Sequence, residues 1–140
     1  MTIDLKLDVS REVLESIFIT AMEGGSNYWY YIGEEAVRAI NNVSPRASGM
    51  AFSERLFTAV YDYGVQVPIH DIEDIDGEPI GVIDKETFKE RLERCANEGA
   101  MWALQQEIDE QGDATTSDAV FQYLALNDLV YGFSLPIARV

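Results

Sequence analysis

The chain has 140 residues, of which 47% are hydrophobic, and it sets 25 acidic side chains against ten basic ones for a net charge of −15. That length and composition suit a single domain, 1–140, with a real core, and they exclude a disordered chain. No base lies between Arg55 and Lys85 against seven acids, and none between Arg94 and Arg139 against seven more, which excludes direct DNA or RNA binding and anionic membrane surfaces, since both need clustered Lys or Arg to neutralise phosphate.

No apolar run approaches the roughly 20 residues that span a bilayer. The opening MTIDLKLDVSREV lacks the basic and apolar regions of a signal peptide. The single Cys95 forbids an internal disulfide and fits a reducing compartment. The expected location is therefore the cytoplasm of a bacterial host cell. The acidity itself has two readings: solubility, or mimicry, an acidic face that occupies a partner's nucleic-acid groove.

In chain order, TIDLKLDVS alternates Ile3, Leu5, Leu7 and Val9 with polar residues, the period of a half-buried strand. Ser10 is placed to cap a helix carrying Val13, Leu14, Ile17, Phe18 and Ala21 on one face. Gly24-Gly25 should stop it through a left-handed cap. GEEAVRAINN reads as a short helix with Glu34 and Glu35 at its favourable positive end. Pro45 and Gly49 break the chain. Met50 to Tyr63 is a further amphipathic helix. Val65, Val67 and Ile69, then Ile80 and Val82, predict two strands joined as a hairpin at Asp76-Gly77, with Pro68 demanding an edge or a bulge. Asp84 caps one long helix running from Phe88 to Ile108, weakened at Gly99. A last helix follows from TTSDAVFQYLALNDLVYG, where Thr115-x-x-Asp118 has capping-box spacing. FSLPIARV is a possible final strand. The fold class expected is α+β, with four to five helices and a small, mostly antiparallel sheet.

Four segments are candidates for function. Gly24 to Tyr31 sets two glycines, Ser26 and Asn27 before four consecutive aromatics. Four such rings cannot all face one core in either a helix or a strand, so some are core and others line an interface or a platform for a planar ring. SPRASGM, Ser44 to Met50, places Arg46 and Ser48 before a helix start, where phosphate is favoured; its alternative is a solvated loop. It is not a P-loop, whose glycine-lysine pattern is missing from the sequence. HDIEDIDGEP carries Asp71, Glu73, Asp74, Asp76 and Glu78 beside the only histidine. An EF-hand register with Gly77 at its sixth position fails, because Ile72 and Ile83 fall on ligand positions. That stretch reads as a solvated acidic hairpin and as the best candidate for a charge mimic. Asp118 and Gln122 form an i,i+4 pair, either surface polarity or a polar cluster meeting a ligand or a second subunit.

Enzyme signatures do not emerge. A Cys/His dyad would need Cys95, at an apolar helical spacing, with His70. No hydrolase, zincin or zinc-site pattern occurs, and no metal or cofactor is expected. A carboxylate pair could act in acid–base chemistry, but 25 acids leave the choice of pair open.

EGGSNYWYY and SDAVFQYLALNDLVYG together resemble a group of small acidic proteins encoded in bacteriophages, prophages and mobile elements. That group carries an E-G-G-S-N-Y-W segment after its first helix and an Asp…Gln-Tyr segment before a closing Tyr/Phe-Gly. The matching parts cover about a fifth of the chain. The resemblance implies a phage origin and an accessory role, of which countering host defence is one form, rather than a chemistry. Three functions stay open. The first is a homo-oligomer binding a small, nucleotide-like ligand, with Tyr28, Trp29 and Tyr30 stacking a base and Ser26, Asn27, Arg46 and Ser48 holding polar groups. The second is an acidic protein-binding inhibitor, such as an anti-CRISPR, facing a host defence protein with Asp71, Glu73, Asp74, Asp76 and Glu78. The third is an enzyme on a small molecule.

Overall fold

The computed structural model describes residues 8–132. The expected opening strand falls mostly outside them, although Asp8 forms a β-bridge and Val9 is buried; the tail FSLPIARV lies outside altogether. The described residues fold as α+β: six α-helices and a three-stranded antiparallel sheet.

Helix α1 spans Arg11–Thr20. Ser10 caps it as expected, its Oγ accepting from the Val13 N–H at 3.1 Å. The end of α1 differs from the expectation. The chain widens into a single π-type turn, Ala21–Gly25, closed by the Ser26 N–H on the Ala21 carbonyl at 2.7 Å. Neither glycine there has a positive φ. Gly25 serves close approach instead: a Cβ would lie 2.5 Å from the Ala114 carbonyl oxygen, inside any real contact.

The aromatic block then runs into strand β1, Tyr30–Tyr31. Helix α2 covers Glu34–Val43 and α3 covers Phe52–Tyr63. Between them Arg46–Ser48 make one 3-10 turn, ended by Gly49 at φ +84°. Strands β2, Val67–Asp71, and β3, Gly81–Ile83, follow. The sheet order is β1-β2-β3, so β2 is central. Among the described residues Pro68 nevertheless has a strand neighbour on one side only. β1 pairs with His70 and Asp71, while β3 pairs with Val67, Pro68 and Ile69.

Two expectations are corrected here. β2 and β3 pair antiparallel as the expected hairpin, but the connection is no tight turn at Asp76-Gly77; residues 72–80 form a longer loop of successive turns, with Asp74 N–H on the Asp71 carbonyl and Gly77 N–H on the Asp74 carbonyl. The long helix is also two. Asp84 caps a 3-10 turn leading into α4, Phe88–Asn97, and Gly99 at φ +111° separates it from α5, Met101–Ile108. That break raises the helix count to six.

Helix α6, Ala114–Leu126, is the centre of the molecule. Every residue from Thr116 to Ala125 is buried, as for a helix covered on all sides. Its capping box is Asp113 with Thr116, not Thr115 with Asp118: the Asp113 carboxylate accepts from the Thr116 N–H and the Thr116 hydroxyl accepts from the Asp113 N–H. At the other end Arg91 donates to the Leu124 and Ala125 carbonyls, satisfying groups a helix end leaves open. Phe18 meets Phe57, Phe88 and Phe121 with ring centroids 5.1–5.9 Å apart, which joins α1, α3, α4 and α6 in one core. No helix among the described residues is long and apolar enough to cross a membrane.

Candidate functional site

The fold brings the two motif segments, some 90 residues apart, onto one carboxylate. Asp118 sits one turn into α6 and is only 3% exposed. Its Oδ1 accepts from Ser26 Oγ at 2.7 Å, Trp29 Nε1 at 2.9 Å and Gln122 Nε2 at 3.2 Å. Its Oδ2 accepts from the Tyr28 hydroxyl at 2.7 Å. All four donors are neutral. A buried carboxylate normally needs a cation or several hydrogen bonds, and among the described residues this one is held by hydrogen bonds alone. Charge-assisted bonds of this kind are roughly twice as strong as neutral ones.

Gln122, one turn further on, extends the junction. Its Oε1 accepts from the Val130 and Tyr131 N–H groups at 2.8 Å, and its Nε2 also donates to the Tyr131 carbonyl. Tyr131 is thereby laid flat on Trp29, with centroids 5.1 Å apart and planes 7° from parallel. Its hydroxyl donates to Asp71 Oδ2 at 2.7 Å, at the end of β2. Together with the Glu73 N–H, this bond holds the Asp71 carboxyl below its ordinary range. Burial and Asp71 together push the Tyr131 phenol up to about 12.

Strand geometry divides the aromatic block. Trp29 is 1% exposed and belongs to the core. Tyr30 is half-buried, its hydroxyl donating to the Met22 carbonyl, and burial pushes its phenol up to about 12. Tyr28 alone lies well open, at 48%. The expected platform of Tyr28, Trp29 and Tyr30 is thus one accessible ring backed by two packed ones. Ser26 is buried on Asp118 and Asn27 is exposed.

Beside this junction lies a cleft of about 260 Å3, lined by Gly24, Gly25, Tyr28, Ala114, Thr115, Asp118 and Gly132. Glycines form much of its wall. Gly132, at φ +76°, faces the Tyr28 hydroxyl so closely that any side chain there would strike it. Burial first, then the bond to Asp118, raise the Tyr28 phenol well above its ordinary value. It therefore stays a neutral hydroxyl at any physiological pH, suited to hydrogen-bond recognition rather than to acting as a base or nucleophile. Among the described residues no Lys or Arg lines the cleft.

The other expected residues lie elsewhere. Arg46 and Ser48 are exposed on the α2–α3 loop, where Ser48 Oγ accepts from the Met50 N–H, and neither lines the cleft. Glu73, Asp74, Asp76 and Glu78 are exposed on the 72–80 loop, with Asp71 at its base. His70 meets the Gly77 carbonyl through Nδ1 at 3.1 Å. Cys95 is fully buried, its thiol pushed up to about 12, and is a core residue remote from nucleophilic use. Among the described residues no group of three or more His, Cys, Asp or Glu is placed to hold a metal ion. Sequence reasoning paired Asp118 with Gln122 but did not join them to Trp29. The signal was there: an indole N–H and a serine hydroxyl entering a core both require an acceptor, and an Asp inside an apolar helix is an acceptor in search of donors.

No family model, curated protein or solved structure matches the chain.

Proposed function

We propose that the protein is a non-catalytic binding protein whose cleft at Tyr28 and Asp118 takes a small planar group bearing N–H donors, of which a nucleobase is the type. One observation carries this reading. A nearly buried carboxylate forms part of the cleft wall, and among the described residues no cation stands beside it and its Oδ2 accepts a single hydrogen bond. A carboxylate oxygen has room for a second donor. Beside it the Tyr28 ring offers a face for stacking, and the Tyr28 oxygen and Thr115 hydroxyl offer further partners. The absence of Lys or Arg from the lining, among the described residues, narrows the nucleotide-like ligand expected from the sequence. Phosphates gain nothing here, so bases and nucleosides should bind better than nucleoside triphosphates.

The test is native mass spectrometry on protein purified from its expression host, followed by thermal melting against bases, nucleosides and nucleotides. The spectrum reads bound mass and the proposed homo-oligomer together. A ligand at 100 times its Kd should stabilise the fold by about 2.7 kcal/mol. Tyr28→Phe should weaken binding while the free protein still folds, at a cost of about 1.5–3 kcal/mol for the lost bond to Asp118. No shift with any member of the panel rejects the reading.

A second reading has its own observation. Ile72, Ile75 and Ile80 are exposed on the same loop as Glu73, Asp74, Asp76 and Glu78. Apolar side chains rimmed by like charges are what a docking loop for a basic protein surface presents. Given the resemblance to phage accessory proteins, that surface would belong to a host defence protein, and binding would weaken steeply with salt. Neutralising the four loop acids should abolish it; unchanged affinity would reject an inhibitor acting through this loop.

A further inference from the structure

Arg55, on α3, is the one basic side chain among the described residues that is more than nine-tenths buried, at 7% exposed. Its Nη1 donates to Asn41 Oδ1 at 2.6 Å and to the Ser44 carbonyl at 3.2 Å, both at the end of α2. The guanidinium turns back over the first residue of its own helix, 5.3 Å from the centroid of the Phe52 ring. Among the described residues no carboxylate forms an ion pair with it. Its Nε is enclosed and has no hydrogen-bond partner. Its Nη2 donates to no described residue either and, unlike Nε, is not sealed off.

Carboxylates are abundant in this chain, and Arg11, Arg38 and Arg94 each hold one. Arg55 holds none of the described ones. The end of α2 supplies only about half a negative charge, and capping it occupies Nη1 alone. A buried cation with an unmet donor costs stability unless an anion completes it. The edge left free is Nε–Nη2, whose parallel N–H bonds match two oxygens of one oxyanion.

Further donors stand at the same corner. Ala51 is the N-cap of α3 and makes no side-chain cap bond, so the first turn of this 12-residue helix keeps open N–H groups at its positive end. The acids nearby are engaged: Glu54 Oε1 accepts from the Ala51 N–H at 3.1 Å, and Glu23 Oε2 from Ser53 Oγ at 2.6 Å. Arg46 and Ser48 stand exposed on the preceding 3-10 turn, the stretch whose sequence favours phosphate. A carboxylate would use the arginine edge alone, whereas a phosphate has further oxygens for the N–H and hydroxyl donors.

We infer that the α2–α3 corner binds a phosphate group, held by the Nε–Nη2 edge of Arg55 and the start of α3, with Arg46 as an outer cation. None of these residues lines the cleft at Tyr28, so the failure of either site leaves the other standing.

The experiment is an NMR titration of the isotope-labelled full chain with inorganic phosphate at constant ionic strength, with acetate as the single-carboxylate control. The Arg55 Nε–H signal and the amides of residues 46–54 should shift saturably with phosphate and little with acetate. Arg55→Lys keeps the charge without the two-donor edge and should weaken phosphate roughly ten-fold. Lys89→Gln, at an exposed α4 cation, should change it less than about two-fold. Should Arg55→Lys fail to fold, Arg46→Gln on the exposed turn takes its place, with an expected weakening of about three-fold, and the Nε–H signal of the unmutated chain reads the arginine directly. No saturable shift, an equal response to acetate, or an equal loss in Lys89→Gln, which would mean diffuse attraction, overturns the inference. So does undiminished binding in Arg55→Lys or its substitute.

Discussion

Asp118 and Asp76 are the same residue in opposite circumstances. Asp118 is buried under four neutral donors and ties α6 to the π turn and the aromatic block. Asp76 stands in water on the 72–80 loop, among other acids and three exposed isoleucines. The first holds structure together and borders a cleft; the second offers charge to whatever approaches. A net charge of −15 therefore describes two different things. Most of the acids form an exterior field, while Asp118 and Glu107 act inside the fold as single acceptors. Fields are tuned by number and screened by salt, whereas buried acceptors depend on geometry and fail one at a time.

The comparison breaks most visibly at Trp29. Trp29→Ala removes a core ring, its stacking on Tyr131 and a bond to Asp118, and should destabilise by about 3–5 kcal/mol in urea denaturation. Near-neutral stability would return the tryptophan to the role of an open platform. Next, Asp118→Ala strands donors of Ser26, Trp29 and Gln122 in the interior, with an expected loss of about 3 kcal/mol. Asp118→Asn keeps the shape but aims a donor at donors; it should fall between the two.

Alkaline pH sharpens the same contrast without mutation. Tyr30 and Tyr131 have folded-state values raised to about 12, against an unfolded value of about 10. A group with a raised folded value contributes its full stability below the unfolded value and loses it as pH rises through the folded one. Stability should therefore fall between about pH 10 and 12, and tyrosinate absorbance at high pH should show a subset of the seven tyrosines ionising late. Simultaneous titration of all seven near 10 would contradict the packing. The smallest effect belongs to the loop: Asp74→Asn, Asp76→Asn and Glu78→Gln combined should shift the melting temperature by no more than about one degree. A large shift would mean that those acids hold the fold after all.

How far the sequence reveals this arrangement follows from the range of each interaction. Ser10 as a cap, the amphipathic faces of α1 and α3, and the breaks at Pro45 and Gly49 are local, and local patterns name them. Gly25 was legible as a helix stop but not for its reason, because the Ala114 carbonyl it must admit lies 89 residues away. Gly99 weakens a helix by sequence and ends it by geometry, a choice made through its positive φ. The strand at Tyr30–Tyr31 was hidden because its partner is β2, across two intervening helices. Asp118 illustrates the limit best. Its spacing from Thr115 imitates a capping box, and only the packing of the aromatic block shows that the cap is Asp113 and that Asp118 serves the core.

The contrast between inside and outside also extends to light. The chain has two tryptophans. Trp29 lies under Tyr131 with its indole N–H on a carboxylate, while Trp102 on α5 is 42% exposed. Their emission should differ accordingly, with Trp29 the bluer and shielded from acrylamide and Trp102 the redder and quenched by it. A Trp102→Phe protein would then report on the Asp118 junction alone, so that melting, pH titration and occupation of the neighbouring cleft could each be followed through one native chromophore, with no dye attached.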